Sequence, residues 1–188
     1  MVIALVVWVP TGIFISQRRS LAPKIMSLAN VLYCIPSLSL FVVFVTIPGL
    51  GIGRKSAVLA LVLYAMMPMV RNVYQGLIGV DRNVIEAAKG MGMNRWQIIK
   101  EILIPLAMPV MFAGFRVTMV MTASIATIAV YTGEKNLGRF IINGLGRANV
   151  QMIVVGGVAV CILTVLLDAV LAQLEKVVIP KGLRVQRH

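Results

Sequence analysis

The side chains that could carry out chemistry are few and widely separated in this sequence. The only histidine is His188, the last residue, so neither a Ser-His-Asp triad nor a histidine metal site can be assembled. Cys34 and Cys161 each lie in an apolar stretch without CxxC spacing, which is typical of buried free thiols. The string "GLGIGRKS" at 49–56 has Arg54 where a phosphate-binding loop requires glycine. We therefore predict no catalytic residue, no metal site and no cofactor bound by this chain.

Two ionisable residues, Arg116 and Asp168, fall inside otherwise apolar segments. Such groups are costly in a bilayer unless they are paired or face water. With a helical rise of about 1.5 Å per residue, Arg116 lies roughly 16 Å from Pro105 and Asp168 roughly 10 Å from Glu175, measured from the same membrane side. An arginine side chain can bridge that difference. We predict an ion pair between them; the alternatives are a snorkelling Asp168 and a pore-lining Arg116.

Composition indicates the environment in which these residues lie. Of the 188 residues 60% are hydrophobic and only 13% are charged, whereas roughly a quarter are charged in soluble domains. The mean hydropathy is +0.95. Residues 25–53 and 148–167 contain no charged residue. Both segments are long enough for a helix that crosses a hydrocarbon core, which takes roughly 20 residues. The sequence therefore predicts an all-α integral membrane protein.

The apolar segments predict a single transmembrane domain, 1–188, with about five spans. The first is short, and because no basic region precedes it, it resembles a membrane helix that has lost its beginning more than a cleaved signal sequence. The predicted spans cover residues 1–16, 25–48, 54–73, 103–131 and 148–172.

The charge distribution predicts the orientation. A net charge of +12 could suggest a nucleic-acid partner, but basic residues beside membrane spans more often report topology. Segments 17–24, 71–101 and 175–188 hold three, five and four Lys or Arg residues, twelve together, against five on the opposite side. The first group is therefore expected in the cytoplasm, with the N-terminus outside, the C-terminus inside and no nucleic-acid partner.

A charged segment at 81–102, here called the polar island, interrupts the apolar sequence on the predicted cytoplasmic side. Asp81 can cap a first helix, because its carboxylate can accept hydrogen bonds from backbone N–H groups two or three residues later. Gly90 and Gly92 are expected to break that helix. The pattern predicts a helix, a glycine break and a second helix at the mouth of the membrane.

The second helix of the polar island should begin at Asn94, which forms a capping-box pattern with Gln97. Trp96, Ile99 and Leu103 follow at helical spacing and could share one face. The alternative to a protein-binding segment is an amphipathic surface helix that rests on lipid.

The island also carries a recognisable signature: Glu-Ala-Ala, three residues, Gly, nine residues, then Ile-x-Leu-Pro. The sequence resembles the EAA motif of ABC importer permeases, with Ile104 in the leucine slot as the only departure. The strings "VLYCIPSLSLFVVF" and "VVIPKGL" are similar to permeases for osmoprotectants such as glycine betaine, choline and carnitine. One turn differs, because "TGEKNLG" at 132–138 replaces a glycine-rich "GAGGLG"-like string.

This resemblance implies a type I importer permease of MetI-like fold, in the cell inner or plasma membrane, that moves an osmoprotectant inward by alternating access. It implies two separate ATP-binding subunits, which hold ATP and Mg²⁺, a second permease copy, identical or not, and an extracytoplasmic solute-binding protein. The island would couple the chain to the ATPase: Glu86 pairs or caps, Ala87 and Ala88 allow close approach, and Gly92 makes a sharp turn. The full set of expected coupling residues is Glu86, Ala87, Ala88, Gly90, Gly92, Trp96, Ile102 and Pro105.

Neutral polar residues within the spans are candidates for lining the solute path. Hydrogen bonding within and between the helices is the alternative role for such groups. Two of them are aromatic, and an aromatic face suits a quaternary ammonium ion. The candidates are Tyr33, Ser37, Tyr64, Thr118 and Ser124.

Two other functions share parts of this pattern. A permease for methionine or another small nutrient would contain the same EAA segment and differ in its solute. A structural membrane protein or channel subunit without an ATPase would use the polar island as a lipid-surface helix.

Overall fold

The computed structural model describes residues 1–18 and 20–179, and every regular element in this part of the chain is helical. The all-α prediction is therefore confirmed for these residues. Two non-α segments extend α7, a π-helix before it and a 3₁₀-helix after it. The elements are α1 (Val2–Gln17), α2 (Ala22–Cys34), α3 (Ser37–Thr46), α4 (Arg54–Ile78), α5 (Arg82–Gly90), α6 (Arg95–Gln97), the π-helix (Ile98–Leu103), α7 (Ile104–Ala126), the 3₁₀-helix (Thr127–Thr132), α8 (Gly138–Gly146) and α9 (Val150–Val178).

In the described part of the chain, three helices are long and apolar enough to cross a membrane: α4, the continuous helix Arg95–Thr132 and α9. Helix α1 is apolar, but its 16 residues are fewer than the roughly 20 that a span requires. A fourth span is counted if α2 and α3 are taken together. The predicted number of five spans is therefore not confirmed.

The span predicted over 25–48 is two helices, because α2 and α3 meet at an angle of 91°. The break lies at Ile35 and Pro36, which both have extended backbone dihedrals. Proline has no N–H to donate and forces the preceding residue out of the helical region. Continuous hydropathy predicts a continuous span, but it does not detect this local backbone constraint.

Helix α4 lies at the centre of the bundle and contacts α1, α2, α3 and α7. Glycines bring the neighbouring backbones close to it. A β-carbon at Gly12 of α1 would lie 2.6 Å from Val73, and one at Gly114 of α7 would lie 2.2 Å from the Cβ of Asn72. Small residues at such contacts are what allow membrane helices to pack tightly without a hydrophobic driving force.

Helix α9 is the most peripheral span and packs against α8 and α7. Only Gly156 and Leu171 are buried along its length. A β-carbon at Gly156 would lie 2.9 Å from the side chains of Phe140 and Ile141 in α8. Most of its apolar surface is therefore left for lipid or a partner.

The altered turn at 132–138 has its own stabilising contacts. Asn136 donates from Nδ2 to the carbonyl of Ala126 at 2.8 Å and accepts at Oδ1 from the N–H of Gly138 at 2.8 Å. A β-carbon at Gly138 would lie 2.3 Å from the carbonyl oxygen of Thr127. Gly138 is therefore required for the close approach, and Asn136 bonds to the backbone on both sides of the turn.

Candidate functional site

The polar island folds as two helical segments joined by a tight turn. Asp81 caps α5, since its Oδ1 accepts from the N–H of Asn83 at 2.9 Å. The second segment begins with a reciprocal box: Asn94 Oδ1 accepts from the N–H of Gln97 at 2.9 Å, and Gln97 Oε1 accepts from the N–H of Asn94 at 2.8 Å. These caps satisfy backbone donors that a helix start otherwise leaves unpaired.

The turn between the two segments depends on Gly92, which has φ of +80°. Its N–H donates to the carbonyl of Lys89 at 2.9 Å, and the N–H of Met93 donates to the carbonyl of Ala88 at 3.2 Å. This pair of bonds defines a Schellman motif with glycine at the left-handed position. Gly90 was expected to break the helix as well, but it is the last residue of α5.

The Glu-Ala-Ala residues do not all face the same way. Glu86 and Ala87 are exposed, whereas Ala88 is 1% exposed and packs inside the chain. The prediction that both alanines allow a partner to approach is therefore wrong for Ala88. Its small side chain instead allows α5 to pack closely against the rest of this chain.

The predicted shared face of Trp96, Ile99 and Leu103 is also wrong. Trp96 is 76% exposed, but Ile99 is 5% exposed. Helix α6 is a single turn and passes directly into the π-helix, whose wider turns rotate successive side chains by a smaller angle than an α-helix does. Trp96 therefore points outward, and Met91 is exposed to a similar extent.

The last two expected coupling residues, Ile102 and Pro105, mark the passage from the island into the membrane. Both are half-buried, Ile102 within the π-helix and Pro105 at the start of α7. Proline lacks the N–H that would donate to the preceding turn of a continuous helix, and the π-helix ends at Leu103, shortly before Pro105. The second half of the polar island thus continues into α7 as a single helix, Arg95–Thr132.

The structure brings Arg116 of α7 and Asp168 of α9 into direct contact. Arg116 Nη2 lies 2.8 Å from Asp168 Oδ2, and its Nε lies 3.0 Å from Oδ1. Two parallel N–H to oxygen bonds of this kind are the strongest geometry available to such a pair. The side chain of Arg116 is 17% exposed and that of Asp168 is 43% exposed.

A third member of this cluster, Glu175, was not predicted from the sequence. Arg116 Nη1 donates to Glu175 Oε2 at 2.6 Å. The sequence analysis placed Glu175 at the start of the C-terminal tail, but α9 continues to Val178. The sequence could have indicated this contact, because Asp168 and Glu175 are seven residues apart and so lie on one face of a helix.

Three of the five path candidates meet at the break between α2 and α3. The rings of Tyr33 and Tyr64 lie edge to face, with centroids 5.8 Å apart. The hydroxyl of Tyr64 donates to the carbonyl of Ile35, and Ser37 begins α3 on the other side of the break. Tyr64 therefore satisfies a carbonyl that the interruption of the helix would otherwise leave unpaired.

The other two path candidates lie on α7, and the structure contradicts one of them. Thr118 is 0% exposed, and its hydroxyl donates to the carbonyl of Gly114 at 2.7 Å, so it lines no open surface of this chain. Ser124 is exposed and donates to the carbonyl of Val120 at 3.1 Å. Both hydroxyls bond to the preceding turn of their own helix, as Ser and Thr commonly do in membrane helices.

We predict that Tyr64→Phe destabilises the α2–α3 break. The substitution keeps the ring but leaves the carbonyl of Ile35 without its donor, which should cost about 1–3 kcal/mol of folding free energy. Tyr33→Phe is the matched control, because it retains the ring contact. The midpoint of thermal unfolding of the purified complex should fall for Tyr64→Phe only; equal midpoints for both variants would show that the hydrogen bond adds nothing.

The chain is similar in sequence to known membrane transport proteins. Residues 9–181 match the family described as "Binding-protein-dependent transport system inner membrane component". The glycine betaine/carnitine/choline transport system permease protein OpuCB of Bacillus subtilis (strain 168) is 37% identical over 97% of this chain and 83% of its own length. The carnitine transport permease protein OpuCB of Listeria monocytogenes is 38% identical over 100% and 85%. The osmoprotectant import permease protein OsmW of Salmonella typhimurium is 35% identical over 97% and 86%.

Solved structures give the same fold. A chain of the MetNI methionine ABC transporter, in an inward-facing conformation, superposes with a TM-score of 0.81 and covers 93% of this chain and 87% of its own. The sequence identity is 21%, so this likeness concerns the fold alone.

Proposed function

Because the chain belongs to the family of binding-protein-dependent transport system inner membrane components, we propose that it moves an osmoprotectant of the glycine betaine, carnitine or choline class inward. The chain is the transmembrane component of an ABC importer. The proposal for the solute rests on relatives of 35–38% identity that match almost the whole chain and are named for such solutes.

The outward face of the polar island is the observation that supports mechanical coupling. Glu86, Ala87, Met91 and Trp96 are all exposed there, and Met91 and Trp96 are 74% and 76% exposed. In this proposal the face binds a separate ATPase subunit, with Glu86 available to pair with a cation and Ala87 allowing close approach. Burial of Met91 and Trp96 at that contact would supply apolar area.

The remaining partners are those expected of such an importer. We propose two ATPase subunits that bind ATP and Mg²⁺, a second permease copy and an extracytoplasmic solute-binding protein. The polar island then faces the cytoplasm, with the N-terminus outside and the C-terminus inside. The exposed surface of α9 and the broken helix α2–α3 are available for the second copy and the lipid.

Uptake by proteoliposomes that contain the complete complex tests this proposal. Uptake of labelled glycine betaine, carnitine, choline and methionine is measured in the presence of ATP. Each measurement is repeated with variant ATPase subunits that bind ATP but do not hydrolyse it. We expect ATP-dependent uptake of one or more of the quaternary ammonium solutes and none of methionine. Uptake of methionine alone would refute the solute class, and uptake that continues without hydrolysis would refute the coupling.

A further inference from the structure

A cavity of about 240 Å³ lies between the inner side of the polar island and the ends of the membrane helices. Its walls include Gln17, the last residue of α1, and Ile78, the last residue of α4. Leu103, immediately before α7, contributes a third wall. Because three membrane helices end or begin at this cavity, it lies at the level of the lipid headgroups.

Three cationic side chains line this cavity, here called the basic cavity: Arg82, Lys89 and Arg95. Arg82 and Lys89 are seven residues apart on α5 and share one face, and Arg95 begins α6. The coupling residue Glu86 is on the exposed surface of α5 and is absent from the lining. Arg82, Lys89 and Arg95 are exposed as well, and Glu86 lies one helical turn from both Arg82 and Lys89.

The charges of the three cations are not balanced within the cavity lining. No aspartate or glutamate lines the basic cavity. In the part of the chain that the structure describes, no ion pair within 4.0 Å involves Arg82, Lys89 or Arg95. The acid closest in sequence, Asp81, uses its carboxylate to cap α5. Three like charges around one cavity repel one another, and a bound anion would remove that repulsion.

We propose that the basic cavity binds a phosphate group. Arginine presents a fork of N–H donors that matches phosphate oxygens, and lysine adds a point charge. The phosphate could be the headgroup of an acidic lipid or a free phosphate ion, and both share this recognition chemistry. Basic pockets at the ends of membrane helices bind acidic headgroups in this manner, and apolar residues such as Ile98 and Ile99 extend the lining beyond the charges.

A bound phosphate would join the island to the adjacent ends of the membrane helices. It would bridge α5 and α6 through Lys89 and Arg95, and it would lie beside the ends of α1 and α4. This inference concerns binding by the chain itself, so the identity of the transported solute has no bearing on it.

Lipid retention by the purified complex tests the proposal. The complex is reconstituted into nanodiscs of phosphatidylcholine with a minor fraction of phosphatidylglycerol, and native mass spectrometry then counts the lipids that stay bound. Wild type should retain about one phosphatidylglycerol per permease chain. At about 1 kcal/mol per basic residue near the surface, Lys89→Gln with Arg95→Gln should weaken retention roughly 25-fold.

Lys24→Gln with Arg71→Gln is the matched control, because it also removes one lysine and one arginine, neither of which lines the basic cavity. Control complexes should retain the lipid as wild type does. The thermal unfolding midpoint of each variant in nanodiscs of phosphatidylcholine alone shows whether the variant is folded. If the midpoint of the Lys89→Gln, Arg95→Gln variant is lowered, Arg82→Gln is used in its place.

A second arm of the experiment distinguishes the source of the phosphate. Inorganic phosphate is titrated into wild-type complex in phosphatidylcholine nanodiscs, and the thermal unfolding midpoint is followed. Retained phosphatidylglycerol identifies a headgroup site, whereas a rise with inorganic phosphate that the double variant abolishes identifies a site for free phosphate. Equal loss of lipid in the double variant and the control, or no response to either probe, would overturn the proposal.

Discussion

Replacing Gly92 by valine stops ATP-driven uptake while the protein still inserts into the membrane. Gly92 has φ of +80°, where a β-carbon costs about 1–2 kcal/mol and a β-branched side chain costs more. The Schellman bonds that end α5 cannot form without that conformation, so the two halves of the polar island lose their fixed angle. Uptake by the complete complex in proteoliposomes measures the effect, and membrane fractionation measures insertion.

Uptake by Gly92→Asn and Gly92→Ala shows whether the backbone conformation at position 92 or the size of its side chain limits transport. Among residues 1–18 and 20–179, no heavy atom beyond Gly92 and its two neighbours lies within 4 Å of a β-carbon built on Gly92, so neither side chain meets an obstacle there. Asparagine is larger than alanine but adopts left-handed conformations more readily. If conformation decides, Gly92→Asn retains more uptake than Gly92→Ala, which should lose about tenfold. The reverse order would show that crowding against a partner decides, and normal uptake by Gly92→Val would contradict both.

Replacing Arg116 by methionine prevents stable folding of the permease. The substitution leaves the carboxylates of Asp168 and Glu175 without their cation; removal of one partner costs about 3–5 kcal/mol for a fully buried ion pair, and the partial exposure of Asp168 places the expected cost at the lower end of that range. Asp168→Asn should cost less, about 1.5–3 kcal/mol, because Arg116 retains its 2.6 Å bond to Glu175. Protease resistance and the amount of folded complex recovered in mild detergent measure this order.

A triple variant provides the control for charge in this cluster. Arg116→Met combined with Asp168→Asn and Glu175→Gln removes all three charges, so no ion remains without a partner, and much of the folded complex should return. Arg147→Met, at an exposed arginine, should have little effect. If the triple variant is as unstable as Arg116→Met alone, the loss comes from packing of the arginine side chain and not from unpaired carboxylates.

Local sequence rules predicted the parts of the island that depend only on neighbouring residues. The Asp81 cap, the Asn94–Gln97 box and the glycine turn follow from hydrogen bonds between residues two to five positions apart. The inward position of Ala88 and the π-helix that turns Trp96 outward depend on packing against other helices. A periodicity argument assumes an ideal α-helix and therefore could not predict them.

Long-range features were predicted where a simple geometric rule applied. Helical rise brought Arg116 and Asp168 to similar depths, and the structure places them in contact, but the end assigned to the last span excluded Glu175. The MetI-like fold expected from the EAA signature agrees with the superposition, whereas the number of spans does not follow from hydropathy. Hydropathy measures the cost of exposing a segment to water, and it carries no information on where Pro36 divides that segment.

The interruption at Ile35 and Pro36 has a consequence for how the bundle deforms. A pivot at this point breaks no hydrogen bond donated by Pro36, which has no N–H, but it is resisted by the bond from Tyr64 and by the packing of Leu40, Phe41 and Phe44 against α4. Helix α9 has 29 residues and no proline, and its adjacent glycines Gly156 and Gly157 are where it would bend most readily. We therefore expect torsional motion between α2 and α3, where the helical backbone is interrupted.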